Sequence, residues 1–376
     1  MLRPLGFAVG LVLVLTACGT ADDDAEPQAA PEEDETTAEP EEPEETDGSA
    51  EEETHEEECE EFDDITIAFF STLKVGFMPT VIARELGFFE DFCINATLEQ
   101  VGTGLNTLQA VQAGEAHVGI PGTPSIINAV SAGSPVRAIW SPAAVSTQAV
   151  VAVEGYESCE DLEGETIADD GPGGQAYHVM EMFLETCGLN IASDVEHFIG
   201  TPGDFAAVMA GGTAQAAPQH ADDVAVIERE FGIELNQLAL VADFAADFAY
   251  QSTVVSQEDL EANPDLYTRI VAAMIMANRW LHPDAGNRDE ATRIGEELSG
   301  AEWGDPERGA EVFEIGYDAY AENFPTTCDE AYPESAIEFT INLQAELGNL
   351  EEDVTFEDVI DMDICRAGEA LADEHG

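Results

Sequence analysis

Two short stretches carry residue types suited to gripping a small polar molecule: Gly171-Pro172-Gly173-Gly174-Gln175 and Pro218-Gln219-His220. Glycines let backbone N–H groups approach a bound group. A helix N-terminus behind them favours an anion, and amide and imidazole side chains orient polar atoms. Three earlier stretches share this character: Ser71-Thr72, Gly102-Thr103-Gly104 and Gly122-Thr123-Pro124-Ser125. The candidate ligand-binding residues are therefore Ser71, Thr72, Phe77, Thr103, Thr123, Ser125, Gly174, Gln175, Gln219 and His220. Phe77, with Phe70 and Trp140, would supply apolar walls.

Catalytic chemistry finds little support. The stretch around Gly102 and Gly104 lacks the Gly-Lys-Ser/Thr of a phosphate loop, and no Gly-x-Ser-x-Gly elbow occurs. His220 beside Asp222 and Asp223 reads as a cleft histidine at a helix start rather than a metal ligand. No Cys/His set has zinc spacing. The expectation is no catalytic residue, no metal and no cofactor.

These stretches need elements to hold them in place. ITIAFF alternates in the manner of a strand, and MPTVIARELGFF follows as a helix with Val81, Ile82, Leu86 and Phe89 on one face. Strands and helices continue to alternate through PVRAIW, with short connections, which predicts a mostly parallel doubly wound sheet. The pattern restarts at AVVAVEG and runs to YQSTVVS. Beyond Asn263-Pro264 the chain reads as all helical. In open sheets of this kind ligands sit past the carboxyl ends of strands, where the candidate residues lie.

The chain has 376 residues and a net charge of −69. Residues Leu5 to Leu15 form an apolar run too short to span a ~30 Å hydrocarbon layer. It fits an export signal. The following Leu-Thr-Ala-Cys resembles a bacterial lipobox, which implies lipidation at Cys18 and a signal peptide over residues 1–17. From Ala21 to Asp64 there are 24 acids and no Lys or Arg. Such a segment cannot bury enough apolar surface to fold, so residues 18–64 read as a disordered acidic tether, of which about 40 residues could reach at most ~140 Å. The remaining part, 65–376, has 56 acids against 10 bases, about −46. That charge disfavours nucleic acid and anionic membrane surfaces as partners. It also suggests a host living in concentrated salt, where the Debye length is short.

Six further cysteines, Cys59, Cys93, Cys159, Cys187, Cys328 and Cys365, fit an exported protein with disulfides. They fall into three consecutive pairs. Six cysteines allow 15 connectivities, so pairing stays open at this point.

Several motifs together resemble the substrate-binding proteins of ABC importers for nitrate, sulfonate, taurine and thiamine-precursor pyrimidines. They are FMPTVIARELGFFED, GLNTLQAVQAGEAHVGI, CEDLEGETIA, FLETCGLN and VMAGGTAQAAPQHAD. The family's usual Gly-x-x-Asp-Ala pattern is replaced here by Thr213-Ala214-Gln215. The resemblance implies an α/β, two-lobe periplasmic-binding-protein-like fold of type II with a helical C-terminal part. Lobe 1 would comprise about 65–147 and 251–376, and lobe 2 about 148–250, with a hinge near Ser146–Val150 and Gln251–Val254. It further implies a non-enzymatic, monomeric protein, lipid-anchored on the extracytoplasmic face of the membrane, that passes a small molecule to a permease. A sulfonate or nitrate would want positive charge, for which Lys74 and Arg137 are the nearby bases. A pyrimidine-like heterocycle would use Phe70, Phe77, Trp140 or Tyr177. The alternatives are a pyrimidine-synthesising enzyme of the same fold and a surface sensor module.

Overall fold

The structure is a computed structural model that describes residue 59 and residues 61–69, 75–146, 148–245, 247–303 and 306–376. Phe70, Ser71, Thr72, Lys74 and Cys18 lie outside the described residues.

Among the described residues ten strands form two five-stranded sheets. They are β1 (Asp63–Phe69), β2 (Ile94–Gln100), β3 (Val118–Ile120), β4 (Val136–Trp140), β5 (Gln148–Val153), β6 (Thr166–Asp169), β7 (Glu196–Ile199), β8 (Ala216–His220), β9 (Leu235–Leu240) and β10 (Thr253–Ser256). The first sheet has the order β2-β1-β3-β10-β4 and the second β7-β6-β8-β5-β9. In each, a parallel core is joined by one strand that enters antiparallel: β10 between β3 and β4, and β5 between β8 and β9. The inserted strand is in each case the first one reached after the chain changes sheets. The doubly wound pattern is thus present, but the crossings put an antiparallel strand into each half.

The helices connecting these strands are α1 (Met78–Glu85), α2 (Phe88–Asp91), α3 (Gly104–Gln112), α4 (Thr123–Ser131), α5 (Gln175–Thr186), α6 (Pro202–Ala210), α7 (Ala221–Phe231) and α8 (Val241–Phe244). After β10 follow α9 (Gln257–Ala262), α10 (Pro264–Leu281), α11 (Arg288–Trp303), α12 (Pro306–Tyr320), α13 (Cys328–Ala331), α14 (Glu334–Glu346), α15 (Phe356–Val359) and α16 (Met362–His375). Among the described residues no helix is long and apolar enough to cross a membrane.

Local sequence explains the boundaries that matter for the cleft. Thr103 accepts the N–H of Asn106 and so starts α3. Thr201 and Asp204 form a capping box at α6, followed by Pro202 in its first turn. α5 begins directly after the glycines at 173 and 174 and buries Val179, Met180, Phe183 and Leu184.

The first sheet shares one apolar cluster with the C-terminal helices, centred on Ile270, Val271, Met274 and Ile275 of α10, all fully buried. Each such side chain contributes about 1.5–3 kcal/mol. The second sheet has two smaller clusters, one per face: Met180, Phe183 and Leu184 on one side, Phe205, Met209 and Ala217 on the other. The three disulfides are Cys59–Cys93, Cys159–Cys187 and Cys328–Cys365, the nearest-neighbour set.

Candidate ligand-binding cleft

The chain passes between the sheets twice, from Trp140 to Gln148 and from Phe244 to Thr253. The two crossings pair with each other. Val145 bridges Ala249, and the N–H groups of Tyr250 and Gln251 donate to the carbonyls of Ala144 and Ala143 at 3.2 and 3.3 Å. The crossings also bond to the first lobe: the N–H of Thr123 donates to the Tyr250 carbonyl at 2.9 Å and Ser141 Oγ to the Gln251 carbonyl at 2.7 Å. They lie a few residues before the strands in which the sequence reading expects a hinge.

The lobes meet again where the N-termini of α4 and α5 approach. Ser125 Oγ donates to the Gly173 carbonyl at 2.8 Å, and Asn128 Nδ2 lies 3.3 Å from His178 Nε2. Gly122 abuts Gln175. A Cβ at position 122 would stand 2.5 Å from Gln175 Oε1, so this approach needs a residue without a side chain.

Between the lobes lies a pocket of about 490 Å³, counted to its open mouth. The first lobe lines it with Gly104 and Gly122, the second with Gln148, Asp170, Gln175, Ala176, Pro202, Phe205, Pro218, Gln219 and His220. Gln175 Nε2 donates to Gln148 Oε1 at 3.1 Å, but Gln175 Oε1 has no partner. Gln219 Nε2 has none either. These side chains are 6% and 5% exposed. A buried polar atom left unpaired costs about 1–3 kcal/mol. One acceptor and one donor are therefore held ready at the same pocket. His220 is oriented by Tyr250, whose Oη lies 3.1 Å from Nδ1.

Asp170 sits at the start of α5. Its Oδ1 accepts the N–H of Tyr177 at 3.0 Å, and the N–H of Ala176 also bonds the carboxylate. Burial pushes this carboxyl above the usual carboxylate range; the N–H bonds and nearby His178 pull it partway back. Gly174 passes so close that a Cβ there would overlap the Asp170 carboxylate. The expectation that the N-terminus of α5 is open to an anion needs correction: the chain's own carboxylate occupies it. At α6 the capping box places a second carboxylate at the helix start: Asp204 Oδ2 accepts from the N–H and hydroxyl of Thr201 at 3.0 and 2.6 Å.

Of the candidate residues, Gln175, Gln219 and His220 line the pocket together. Gly174 lies behind it against Asp170, and Ser125 closes the lobe contact. Thr103 serves as the cap of α3. Thr123 Oγ1 is 2.8 Å from Ser252 Oγ and lines a second cavity of about 610 Å³ behind the crossings. Phe77 packs on Phe69 with ring centroids 5.4 Å apart, inside the first core, and Trp140 is fully buried there. The apolar wall is instead Phe205 with Pro202 and Pro218. Gln148, Asp170 and Phe205 escaped sequence reading. Asp170 stands next to the glycine-rich stretch and was within reach of it. Gln148 and Phe205 carry no local signal. Gln251, 1% exposed with both amide atoms unpartnered, also went unnoticed as a polar group.

A family model described as NMT1/THI5 like matches residues 74–285. No curated protein matches by sequence. Among solved structures, the alkanesulfonate-binding protein SsuA from Xanthomonas axonopodis pv. citri, bound to MOPS, is 16% identical with a TM-score of 0.64, covering 80% of this chain and 99% of that one. The periplasmic nitrate-binding protein NrtA from Synechocystis PCC 6803 is 16% identical with a TM-score of 0.65, covering 84% and 91%. The desulfurization enzyme DSZB is 16% identical with a TM-score of 0.56, covering 82% and 99%. At such identities the likeness is one of fold, the two-lobe periplasmic-binding-protein-like fold. The family model spans more than half of the 376 residues, and with it the resemblance read from the motifs holds: the chain belongs to the NMT1/THI5-like family.

Proposed function

We propose that the chain is the extracytoplasmic solute-binding component of an ABC importer, which captures a small polar molecule between its lobes and delivers it to a permease. The observation that carries this reading is the pair of buried, unpartnered amide atoms, Gln175 Oε1 and Gln219 Nε2, at one pocket between lobes joined by two crossing segments. Ligand binding would draw the lobes together and present the closed form to the transporter. An enzyme reading is weaker. Among the described residues lining the pocket there is no Ser, Thr, Cys or Lys to act as a nucleophile.

The test is the distance between a spin label on α11 and one on α7, measured while small solutes are titrated in. Shortening with a saturable solute supports the reading. A distance unchanged by every solute across anionic, neutral and cationic classes overturns it.

The same reading includes the ends of the molecule and its surroundings. Cys18 carries a lipid, residues 18–64 form the tether, and the folded part works as a monomer in concentrated salt. Absence of acyl mass on Cys18 in membrane-extracted protein sinks the anchor. A melting temperature that stays flat between about 0.1 and 1 M NaCl, where the Debye length falls from about 10 to 3 Å, sinks the salt adaptation.

A further inference from the structure

Resting on the cleft as a solute site, we propose that Asp170 determines its specificity and that the cleft takes a small organic cation bearing N–H donors, of guanidinium, amidinium or ammonium type, rather than a sulfonate or nitrate. Three observations converge. First, two N–H groups of the first turn of α5, those of Ala176 and Tyr177, are bonded to Asp170 at what would be a seat for an anion. An incoming anion would meet a carboxylate where it needs donors.

Second, the pocket's polar inventory favours donors on the ligand. Asp170 and Gln175 Oε1 both accept, and Gln219 Nε2 is an unpaired donor lining the same pocket. No Lys or Arg lines the pocket among the described residues. Third, the folded part carries about −46 charges, a field that concentrates cations and repels anions before any contact forms. A bound cation would also relieve Asp170, whose burial disfavours its ionised form. Phe205, Pro202 and Pro218 supply the apolar face against which a compact planar body would lie.

The test uses the full chain at constant ionic strength, with methylguanidinium, acetamidinium and methylammonium against methanesulfonate and nitrate. Thermal shift and calorimetry are run on wild type, Asp170→Asn and Asp170→Ser. Asn keeps the size of Asp and an acceptor oxygen for the N–H of Tyr177, so Asp170→Asn separates loss of charge from loss of the bond at the start of α5, and Asp170→Ser removes both reach and charge. The expected result is saturable stabilisation by at least one cation, weakened about tenfold or more in both variants, with no stabilisation by the anions. Saturable anion binding in wild type overturns the proposal. So does a cation effect of equal size in all three proteins, which would place the cation on surface acids. If none of the five probes binds while another solute draws the lobes together, this proposal falls and the solute-binding reading stands. If no solute draws them together, that reading falls as well.

Discussion

In the first lobe, the sheet leans on a continuous apolar cluster that runs through α10 into the C-terminal helices. In the second, the sheet carries two small clusters and a polar pair in its interior. Asp169 is fully buried and holds His197 Nδ1 at 2.6 Å, while His197 Nε2 donates to the Ile191 carbonyl at 2.8 Å. The two lobes also bring different things to the cleft. The first lines the pocket with the backbone of Gly104 and Gly122; the second brings Gln148, Asp170, Gln175, Gln219 and His220. The broad, apolar lobe is suited to be a platform, and the thinner one to be a jaw carrying the recognition groups. Stability concentrates where function does not need adjustable polar groups.

The largest expected effect that would break this comparison concerns the Cys159–Cys187 bridge, which closes a 28-residue separation within the second lobe. Replacing both cysteines by alanine removes about 2–4 kcal/mol. Scanning calorimetry should then resolve an early transition for the second lobe ahead of the first. A single transition shifted as a whole would mean the lobes melt as one unit.

Next is Gly122→Ala. The new Cβ would press on Gln175, and overpacking typically costs about 1–3 kcal/mol. Because the contact exists only when the lobes meet, affinity should drop about 5- to 150-fold while the melting temperature of unliganded protein changes little. Equal losses in both would show that the lobe contact is part of the resting core.

A smaller effect follows from His197. Burial alone would lower its pKa, but the Asp169 bond and the Ile191 carbonyl outweigh that and raise it above the usual histidine value. The folded form thus binds the proton more tightly than the unfolded chain. The stabilisation is full below about pH 6.5 and is lost as pH rises through the raised folded value. Thermal unfolding followed by second-lobe probes should weaken over that rise, and His197→Gln should flatten the slope. A first-lobe probe with the same slope would contradict the assignment.

Smallest are the reciprocal pairs Arg229–Glu311 and Arg308–Glu230, which join α7 of the second lobe to α12. Exposed pairs contribute about 0–1 kcal/mol each and weaken in salt. The double variant Arg229→Gln/Arg308→Gln should shift the lobe-opening equilibrium by at most about thirtyfold at low salt and hardly at all near 1 M.

Much of the fold was legible because its signals are local. The period of the α5 face, Val179 to Leu184, and the stop near Gly87 can be read from a few neighbouring residues. The family could be read because many short motifs keep their order. β9 was missed: LNQLAL is half-exposed along its length, so it lacks the alternation of a sheet with one buried face. The antiparallel entry of β5 and β10 depends on where the chain crosses between lobes, which no local pattern encodes. In the cleft, Gln175, Gln219 and His220 could be read because ligands in such folds sit past the carboxyl ends of strands: Gln219 and His220 end β8, and Gln175 opens α5. Thr103 and Thr123 lie outside the pocket, where their hydroxyls make a helix cap and a cross-link to Ser252, roles that sequence alone does not separate from ligand contact. Phe205 reaches the pocket from the helix after β7, a placement fixed by tertiary packing alone.

The central claim is that a guest satisfies the two amide atoms left unpaired between the lobes. The most direct measurement is equilibrium binding of the best-binding solute to wild type, Gln175→Ala and Gln219→Ala, with the melting temperature of each unliganded protein as reference. Affinity should fall about tenfold in each variant; the melting temperature should hold or rise in Gln219→Ala, which removes an unpaired buried donor, and fall slightly in Gln175→Ala, which also strips Gln148 Oε1 of its donor. Undiminished affinity in both variants would contradict it and place the ligand elsewhere.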